Sequence, residues 1–304
     1  MLVTGANGFV GPWLVKALAA HGAKVSALVH SAIPSNTDAN IQFVRGDITD
    51  FAAISKLIHE SNIDTVYHLA ANNINTGAGI SPYHVFETNT RGVYSILEAC
   101  RTAPHKVRAV VASSKEVDDC FTPASKRKHH PYMTSKAAAE LITRSYMDTF
   151  GLAAVIMRSD NIYGGGDLNW QRLVPGTIRS LLQGETPTIR SNGLFKRDYV
   201  YVEDAVAAYL AVGSRLDNPE VSGRLFRIAT GTATTVYDMV KQCACAAGKP
   251  DLEPRVLNEK SEERIDTLYS PEMEQTILGW KSQFSLEQGL ARTVQWYREN
   301  LERK

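Results

Sequence analysis

The stretch "TGANGFVG", residues 4–11, decides the fold. Its glycines, Gly5, Gly8 and Gly11, are each separated by two residues and lie between a short apolar segment and the helical run "FVGPWLVKALAAHG". The first glycine permits a tight turn, the second lets backbone amides approach a pyrophosphate, and the third lets the helix pack on the strand. A glycine triplet alone is also typical of a flexible loop, but a strand before it and a helix after it favour dinucleotide binding.

Short β-rich runs then alternate with helical stretches up to about residue 160. The candidate strands are "LVTG", "KVSALV", "IQFVRGD", "TVYHLAA", "RAVVASS" and "AAVIMRS". Runs that are mostly apolar throughout and separated by amphipathic segments indicate a parallel sheet covered on both faces. We therefore predict an α/β protein with a Rossmann-type doubly wound parallel sheet.

This regularity ends after Ser159, where the glycine-rich segment "DNIYGGGDLNW" begins. We predict a dinucleotide-binding domain over residues 1–161 and a smaller, mostly helical substrate-binding lobe over residues 162–304. Two later segments, "DYVYVEDAVAAYLAV" and "GRLFRIATG", are predicted to return to the sheet, near residues 198–212 and 224–231.

Composition excludes several function classes. The 304 residues are 44% hydrophobic and 21% charged, and 33 Lys plus Arg balance 32 Asp plus Glu, so no overall field favours nucleic acid or an anionic membrane. No apolar run approaches a membrane span, and residues 1–30 lack the pattern of a signal peptide, which predicts a cytoplasmic location. Only residues 1–4 precede the first glycine, so a few further residues are expected before them in the natural chain.

Neither the cysteines nor the paired histidines predict a metal site. The four cysteines match neither a disulfide framework nor the spacing of a zinc knuckle, and we predict reduced thiols, the last two on a helix: Cys100, Cys120, Cys243 and Cys245. His129 and His130 are adjacent in the basic segment "KRKHH", which is typical of solvated side chains.

The end of the second strand leaves the choice of dinucleotide open. An acidic residue there would bind the ribose 2'-hydroxyl of NAD, but the chain has "LVHS", with His30 and Ser31. Neither side chain is a firm cation for the extra phosphate of NADP. In "RGDIT", Asp47 and Ile48 are candidates for contact with the adenine, although Asp47 is equally typical of a turn or helix cap.

The segment "PYMTSKAAAELI" carries the candidate chemistry. Tyr132 and Lys136 are four residues apart on a predicted helix, so both project from one face. An ammonium beside a phenol lowers the pKa of the phenol, and the resulting tyrosinate takes a proton from a sugar hydroxyl as hydride leaves the same carbon. The same spacing is common on helix surfaces, but behind a glycine-loop sheet the catalytic interpretation is favoured.

Six motifs in order now support a family resemblance: "TGANGFVG", "YHLAA", "ETNTRG", "VVASS", "YMTSK" and "KRDYVYVED". Together they resemble the extended short-chain dehydrogenase/reductases of the NAD-dependent epimerase/dehydratase family, which act on nucleotide sugars. The segment "NIYGGGDLNWQRLVPGTIRSLLQGE" looks most like the CDP-glucose 4,6-dehydratase branch and relatives described as GDP-mannose 4,6-dehydratases.

The resemblance implies roles for individual residues. Tyr132 would be the base, Lys136 its cationic partner, and Ser114 would hydrogen-bond the sugar O4. The residues implied to line the cofactor, with Tyr132 and Lys136, are Gly5, Gly8, Gly11, Asp47, Ile48, Leu69, Ala70, Ala71 and Asn89. Those implied to meet the sugar nucleotide are Asn161, Arg172 and Arg197, the last on the diphosphate.

Other interpretations remain open for the arginines. A surface ion pair is the alternative for Arg172 and Arg197, and is favoured more for Arg172. Arg264, in "SEERIDTLYS", is a weaker candidate for a second diphosphate contact. The resemblance also implies a homodimer paired through two helices of each subunit.

The strand end in "VVASSKEVDDC" departs from the family pattern. A 4,6-dehydratase needs a base for the C5 proton and an acid for the C6 hydroxyl, and relatives supply them as Thr-Asp-Glu, Thr-Ser-Glu or Thr-Asp-Lys. Here the aligned residues are Ser114, Lys115 and Glu116, and Asp118 replaces the usual aromatic. Glu116 is the candidate C5 base, and Lys115 is a candidate acid or simply a partner of Glu116.

One further alternative and one geometric condition concern this strand end. A gapped alignment would make Lys115 the base and remove the acid. Neighbours on an extended strand face opposite sides, so both charges enter one site only if the chain turns there.

The leading hypothesis is a nucleotide-sugar 4,6-dehydratase that retains NAD, with NADP as the alternative cofactor. The rival enzymes are a 4-epimerase and an NADP-dependent keto-sugar reductase. A dinucleotide-binding protein without catalysis is the third hypothesis, and the intact pair Tyr132 and Lys136 argues against it.

Overall fold

In a computed structural model, the described residues are 1–31, 33–34, 38–72, 81–122, 128–260 and 268–301. They form two compact units, each built from separate stretches of the chain. The first comprises the described residues of Met1–Ser159, Val206–Arg227 and Met273–Trp280, and the second those of Asp160–Ala205, Ile228–Glu272 and Lys281–Lys304.

The strands are β1 (Leu2–Thr4), β2 (Val25–Val29), β3 (Ile41–Arg45), β4 (Thr65–His68), β5 (Arg108–Ser114), β6 (Ala154–Ser159), β7 (Asn161–Tyr163), β8 (Thr188–Ile189), β9 (Lys196–Arg197), β10 (Tyr199–Tyr201), β11 (Leu225–Ile228), β12 (Thr234–Thr235) and β13 (Arg255–Val256). Within the described ranges, seven of them form the main sheet in the order β11-β6-β5-β4-β1-β2-β3. The strand pairs from β6 to β3 are parallel. At the other side of β6, Gly223 N donates to Ala154 O and Ile156 N donates to Arg224 O, a bonding pattern that is also parallel and leads into β11.

The α-helices are α1 (Gly11–Ala20), α2 (Phe51–Glu60), α3 (Pro82–Phe86), α4 (Gly92–Thr102), α5 (Asp118–Phe121), α6 (Pro131–Phe150), α7 (Leu173–Leu182), α8 (Val202–Gly213), α9 (Val236–Ala246), α10 (Glu272–Leu278) and α11 (Leu286–Leu301). A π-helical turn, Glu87–Arg91, precedes α4, and a 3-10 turn, Lys115–Val117, precedes α5. Among the residues described, none of the helices combines the length and apolar character that crossing a bilayer requires.

The main sheet forms because its strands are apolar on both faces. Every residue of β1, β2 and β4 is buried, whereas the edge strand β3 is only partly covered. One side of the sheet packs on α2 and α4 through fully buried side chains, among them Ile54, Ile58, Ile96 and Leu97. These observations confirm the doubly wound parallel sheet predicted from the sequence.

The six predicted strands all form, and a seventh comes from late in the chain. The segment "GRLFRIATG" supplies β11, which joins the main sheet beside β6. The strand in "DYVYVEDAVAAYLAV" differs from the expectation, because Tyr199–Tyr201 pairs with β7 in a separate two-stranded sheet. Alternating apolar residues predict a strand but not the strand with which it pairs, so the same pattern fits either sheet.

The second unit contains three short strand pairs and three of the helices. Its pairs are β7 with β10, β8 with β13 and β9 with β12. Thr235 is the N-cap residue of α9, and its side chain accepts a hydrogen bond from Asp238 N. The helix carries Cys243 and Cys245 as predicted. The four cysteines are free thiols.

Candidate active site

The glycine loop is packed too closely for larger residues at two of its three glycines. Gly5 has a φ of +69°, and a Cβ there would lie 2.9 Å from the backbone of Ala70. A Cβ on Gly11 would lie 2.1 Å from Gly5 O, whereas one on Gly8 would lie 3.2 Å from the same oxygen. Among the residues that the structure describes, no side chain caps the N-terminus of α1. This cradle of small residues before an uncapped helix fits a dinucleotide pyrophosphate.

The ends of β2 and β3 carry the residues proposed for the adenosine end. His30 Nε2 lies 3.9 Å from Asp47 Oδ2, and Asn7 donates to Ser31 Oγ at 2.7 Å. Asp47 Oδ1 accepts from Thr49 N at 2.8 Å and from Thr49 Oγ1 at 2.9 Å. Partial burial raises the pKa of Asp47, but the hydrogen bonds from Thr49 and the nearby His30 and Arg91 together lower it by more, so the net pKa is lowered. Asp47 therefore holds the turn into α2, as its alternative interpretation required.

Ile48 is buried, whereas the segment after β4 becomes exposed toward its end. Ile48 is buried in the core of the first unit, where a Cβ on Gly92 would meet its Cδ1 at 2.4 Å. Leu69 and Ala70 are half-buried and Ala71 is exposed. The exposed end of this segment is thus the part that a ligand reaches most readily.

Thr4 joins the glycine loop to the end of β4, a role that sequence reasoning missed. Its Oγ1 lies 2.9 Å from His68 Nδ1 and accepts from Ala70 N at 3.2 Å. His68 is buried, and burial together with the nearby Lys136 lowers its pKa to about 3, so the imidazole is neutral. In the sequence this contact was indicated only by a Thr and a His that each lie near the end of a predicted strand, Thr4 at the end of β1 and His68 at the end of β4.

Asn89 ties the end of β4 to α6. Its amide nitrogen donates to Asn72 O and to Ser135 Oγ, both at 2.9 Å, and its oxygen accepts from Asn72 N at 2.7 Å. It lies in the π-helical turn, a local conformation that is frequent at functional sites. Asn89 is buried, so its described contacts position the helix that carries Tyr132 and Lys136.

Helix α6 presents Tyr132 and Lys136 near the carboxyl end of β5. Lys136 is buried, and its Nζ donates to Ala112 O at 2.9 Å, two residues before Ser114. Burial lowers the pKa of this ammonium to about 8, and Glu140 opposes the change. Tyr132 is half-buried and lies close enough to Tyr209 to contribute to the raised pKa of that buried phenol.

His130 has a structural function at the start of α6. The basic segment predicted a solvated pair, and His129 is exposed, but His130 is half-buried and is the N-cap residue of the helix. Its Nδ1 accepts from Tyr132 N at 3.4 Å.

The chain turns at the end of β5, which meets the condition for Lys115 and Glu116 to share a site. Ser114 Oγ accepts from Glu116 N at 3.3 Å and so caps the 3-10 turn Lys115–Val117. Side chains three residues apart align in a 3-10 turn, so neighbours diverge by about 120° rather than facing opposite sides. Lys115 and Glu116 are both half-buried, and Val117 is fully buried.

The residues proposed for the sugar nucleotide lie in the second unit. Asn161 Nδ2 donates to Asp198 O at 3.0 Å, and Arg197 lies on β9 opposite Thr234 of β12. Asp198 is buried and accepts from Thr230 N, Thr230 Oγ1 and Gly231 N. Its carboxylate thus holds the chain that follows β11.

Arg172 is engaged within the same unit. Its Nη1 donates to Asp167 Oδ2 at 2.6 Å and its Nη2 to Ile162 O at 2.7 Å. Asp167 is buried, so this is a semi-buried ion pair that holds the glycine-rich loop rather than a surface pair. Arg264 lies outside the described residues.

The chain is similar in sequence to known enzymes of one family. The sequence profile described as "NAD dependent epimerase/dehydratase family" matches residues 1–229. The UDP-glucose 4-epimerase of Mycolicibacterium smegmatis is 31% identical over an alignment that covers 98% of each chain. The dTDP-glucose 4,6-dehydratase of the same organism is 28% identical, over 99% of this chain and 93% of that protein.

Solved structures agree with the fold. DesIV, a dTDP-glucose 4,6-dehydratase from Streptomyces venezuelae crystallised with NAD bound, superposes with a TM-score of 0.85 at 26% identity. The match covers 99% of this chain and 97% of that one.

Proposed function

Because the chain belongs to the NAD dependent epimerase/dehydratase family, we propose that it is a nucleotide-sugar 4,6-dehydratase that retains NAD. It would convert a nucleotide-linked hexose to the 4-keto-6-deoxy sugar. The observation that carries this proposal is the turn after β5, where a carboxylate, Glu116, follows Ser114 by two residues. The segment after β7 resembles the CDP-glucose and GDP-mannose enzymes, whereas the two named relatives act on UDP-glucose and dTDP-glucose.

The first unit offers the groups that would hold the cofactor. Gly5, Gly8 and Gly11 would cradle the pyrophosphate at the start of α1, and Ala71 and Lys136 would flank the rest of the dinucleotide. The chemistry that NAD supplies when bound is reversible hydride transfer. NAD rather than NADP is supported by the neighbouring dehydratase structure and by the absence of an Arg or Lys in the described sequence after β2, at residues 30, 31, 33 and 34.

Tyr132 would manage the proton on the sugar O4. The buried Lys136 ammonium lies one helical turn away, and a positive charge there favours the tyrosinate form that accepts the O4 proton. Ser114 Oγ would hydrogen-bond the same oxygen. Oxidation at C4 therefore requires Tyr132, Lys136 and Ser114.

Elimination of water requires a second base and an acid. Once C4 is a ketone, the C5 proton is acidic enough for Glu116 to accept it. The C6 hydroxyl leaves with a proton, which Lys115 would donate from the same turn. Return of the hydride to C6 and of a proton to C5 would then give the 4-keto-6-deoxy sugar with no net oxidation. This assignment keeps the usual base and replaces the usual carboxylic acid with an ammonium, so we expect expulsion of the hydroxyl to be the slower half of the reaction.

A substrate panel tests the proposal. The protein is incubated separately with CDP-glucose, GDP-mannose, UDP-glucose and dTDP-glucose, and products are analysed by mass spectrometry for loss of one water. We expect a 4-keto-6-deoxy product from one member of the panel. Glu116→Gln should abolish dehydration but leave oxidation at C4, and no dehydrated product from any of the four sugars would contradict the dehydratase proposal.

A 4-epimerase is the second candidate, and the 31% identity to a UDP-glucose 4-epimerase favours it. Epimerisation needs Tyr132 and Ser114 but no C5 base. The same panel distinguishes the two, because an epimerase product keeps the substrate mass and inverts C4. An epimerase would also stay active after Glu116→Gln.

We also propose a homodimer paired through α4 and α6. Large apolar side chains are exposed on α3, α4 and α6, namely Tyr83, Phe86, Tyr94, Leu141 and Phe150. Monomers rarely leave so many apolar groups in water on neighbouring elements, so a second copy is the proposed cover.

A further inference from the structure

Glu140 anchors a buried ion network behind the candidate active site. It is fully buried on α6, one turn after Lys136. Arg158 of β6 donates to both of its oxygens, from Nε at 2.7 Å and from Nη2 at 2.6 Å, and Ser113 Oγ donates to Oε1. The network therefore fixes the helix that carries Tyr132 to the strands beside it.

Asp118 extends this network to the turn after β5. Its Oδ1 accepts from Arg158 Nη1 at 2.6 Å. Arg227 of β11 donates to both of its oxygens, from Nη1 to Oδ2 at 2.7 Å and from Nη2 to Oδ1. Carboxylates of α6 and α5 thus alternate with guanidinium groups of β6 and β11, in the order Glu140, Arg158, Asp118 and Arg227, and their formal charges cancel.

The segment that contains Lys115 and Glu116 is held at both ends. Ser114 Oγ accepts from Glu116 N before the turn, and the Asp118 carboxylate follows Glu116 by two residues. The Arg158 guanidinium also lies over the Phe121 ring, 5.7 Å from its centroid, at the end of α5. Val117 is fully buried between these anchors. Anchors on both sides therefore fix the backbone from which the Lys115 and Glu116 side chains project.

The same network fixes both halves of the proposed chemistry. Through Glu140 it holds α6, which carries Tyr132 for the step at C4. Through Asp118 it holds the turn with Glu116 for the step at C5. Only the second connection depends on Asp118, because Arg158 keeps its paired bonds to Glu140 when Asp118 is changed.

We propose that Asp118 is a positioning residue for proton removal at C5, acting through its ion pairs with Arg158 and Arg227 rather than by touching substrate. This inference rests on the proposed dehydratase function, since only a dehydratase uses Glu116 as a base.

The test compares Asp118→Asn with a matched control, Asp217→Asn. Asp217 also accepts from two cations, Lys106 at 2.6 Å and Arg108 at 2.5 Å, but at the opposite end of β5. Single-turnover experiments in deuterium oxide follow two steps with the preferred nucleotide sugar. Absorbance of the reduced nicotinamide reports oxidation at C4, and mass spectrometry reports deuterium at C5 and loss of water.

We expect Asp118→Asn to slow proton removal at C5 by about tenfold to a hundredfold, because small misplacements of a catalytic group have effects of this size. Oxidation at C4 should change by less than about threefold, so the reduced nicotinamide accumulates. Asp217→Asn should leave both rates unchanged. If circular dichroism shows that Asp118→Asn does not fold, Arg227→Lys takes its place, since it keeps the positive charge but loses the paired hydrogen bonds. This variant should also slow proton removal at C5 selectively, but by a smaller factor.

Three outcomes would overturn the inference, and each identifies a different error in it. Equal slowing of both steps would show a general structural role for Asp118. If the wild-type enzyme dehydrates and Asp118→Asn removes the C5 proton at the wild-type rate, the positioning role alone is refuted. Absence of a dehydrated product from the wild-type enzyme would remove the proposed function and this inference together.

Discussion

Replacement of Lys136 with methionine should make the protein more stable at neutral pH while removing its activity. Lys136 is 5% exposed, and burial lowers the pKa of its ammonium from 10.5 to about 8. Each unit of pKa is worth about 1.4 kcal/mol, so keeping this group charged below pH 8 costs the folded state about 3 kcal/mol. The protein maintains this unfavourable charge beside Tyr132.

Methionine removes the cost of the charge but also the hydrogen bond to Ala112 O. A neutral hydrogen bond is worth about 1 kcal/mol, which leaves a net gain of about 2 kcal/mol for Lys136→Met. Methionine has a similar length and fills the same space. For a chain of this size the gain corresponds to a rise in Tm of roughly 4 °C.

The pH dependence identifies the cause. The folded pKa lies below the unfolded one, so between about pH 8 and pH 10.5 the folded lysine has lost its proton while the unfolded lysine still binds one. Stability of the wild type therefore rises with pH across this window. The advantage of Lys136→Met should be full at pH 7 and should vanish by about pH 10.

Thermal unfolding at pH 7 and pH 10, on protein freed of bound nucleotide, measures the difference. Lys16→Met, at an exposed position on α1, is the matched control and should change the Tm by no more than about 1 °C at either pH. A variant less stable than the wild type at pH 7, or a difference independent of pH, would refute the reasoning about the buried charge.

Substitutions at Gly11, Leu141 and Asp198 have separate expected effects on NAD binding, assembly and stability. Gly11→Ala should abolish NAD binding in calorimetry, since its Cβ would lie 2.1 Å from a backbone oxygen, whereas Gly46→Ala should bind normally because only the flexible Leu28 is near. Leu141→Glu should shift the proposed dimer to monomer in light scattering, and an unchanged mass would argue against α6 at the interface. Asp198→Ala should lower stability by about 3 kcal/mol, measured by urea unfolding, because three donors lose their buried acceptor; a loss below about 1 kcal/mol would disagree with this role.

Much of the first unit was predictable because its determinants are local. The glycine spacing and the apolar strand runs are properties of neighbouring residues, so they specify the loop, the strands and the sheet type. The Tyr132 and Lys136 pair was predictable for the same reason, since four residues on a helix fix their relative direction.

Long-range partners were not predictable. Asp118 stood out as a departure from the family pattern, but its partner Arg227 is 109 residues away, and charge alone does not identify a partner. Arg172 was assigned to the substrate from the resemblance, whereas its described contacts are with Asp167 and Ile162 O. The competing interpretation of an ion pair could be stated from the sequence but not decided.

The position of β11 beside β6 has a consequence for biosynthesis. Strand β6 ends at Ser159, but its outer neighbour ends at Ile228, about 70 residues later in translation. At about 5–20 residues per second the ribosome needs roughly 4–14 s to supply that strand. During this interval β6 is an apolar edge with unpaired backbone groups, and Asp118 lacks the Arg227 guanidinium. The nascent chain therefore has an interval in which aggregation or chaperone binding competes with completion of the sheet.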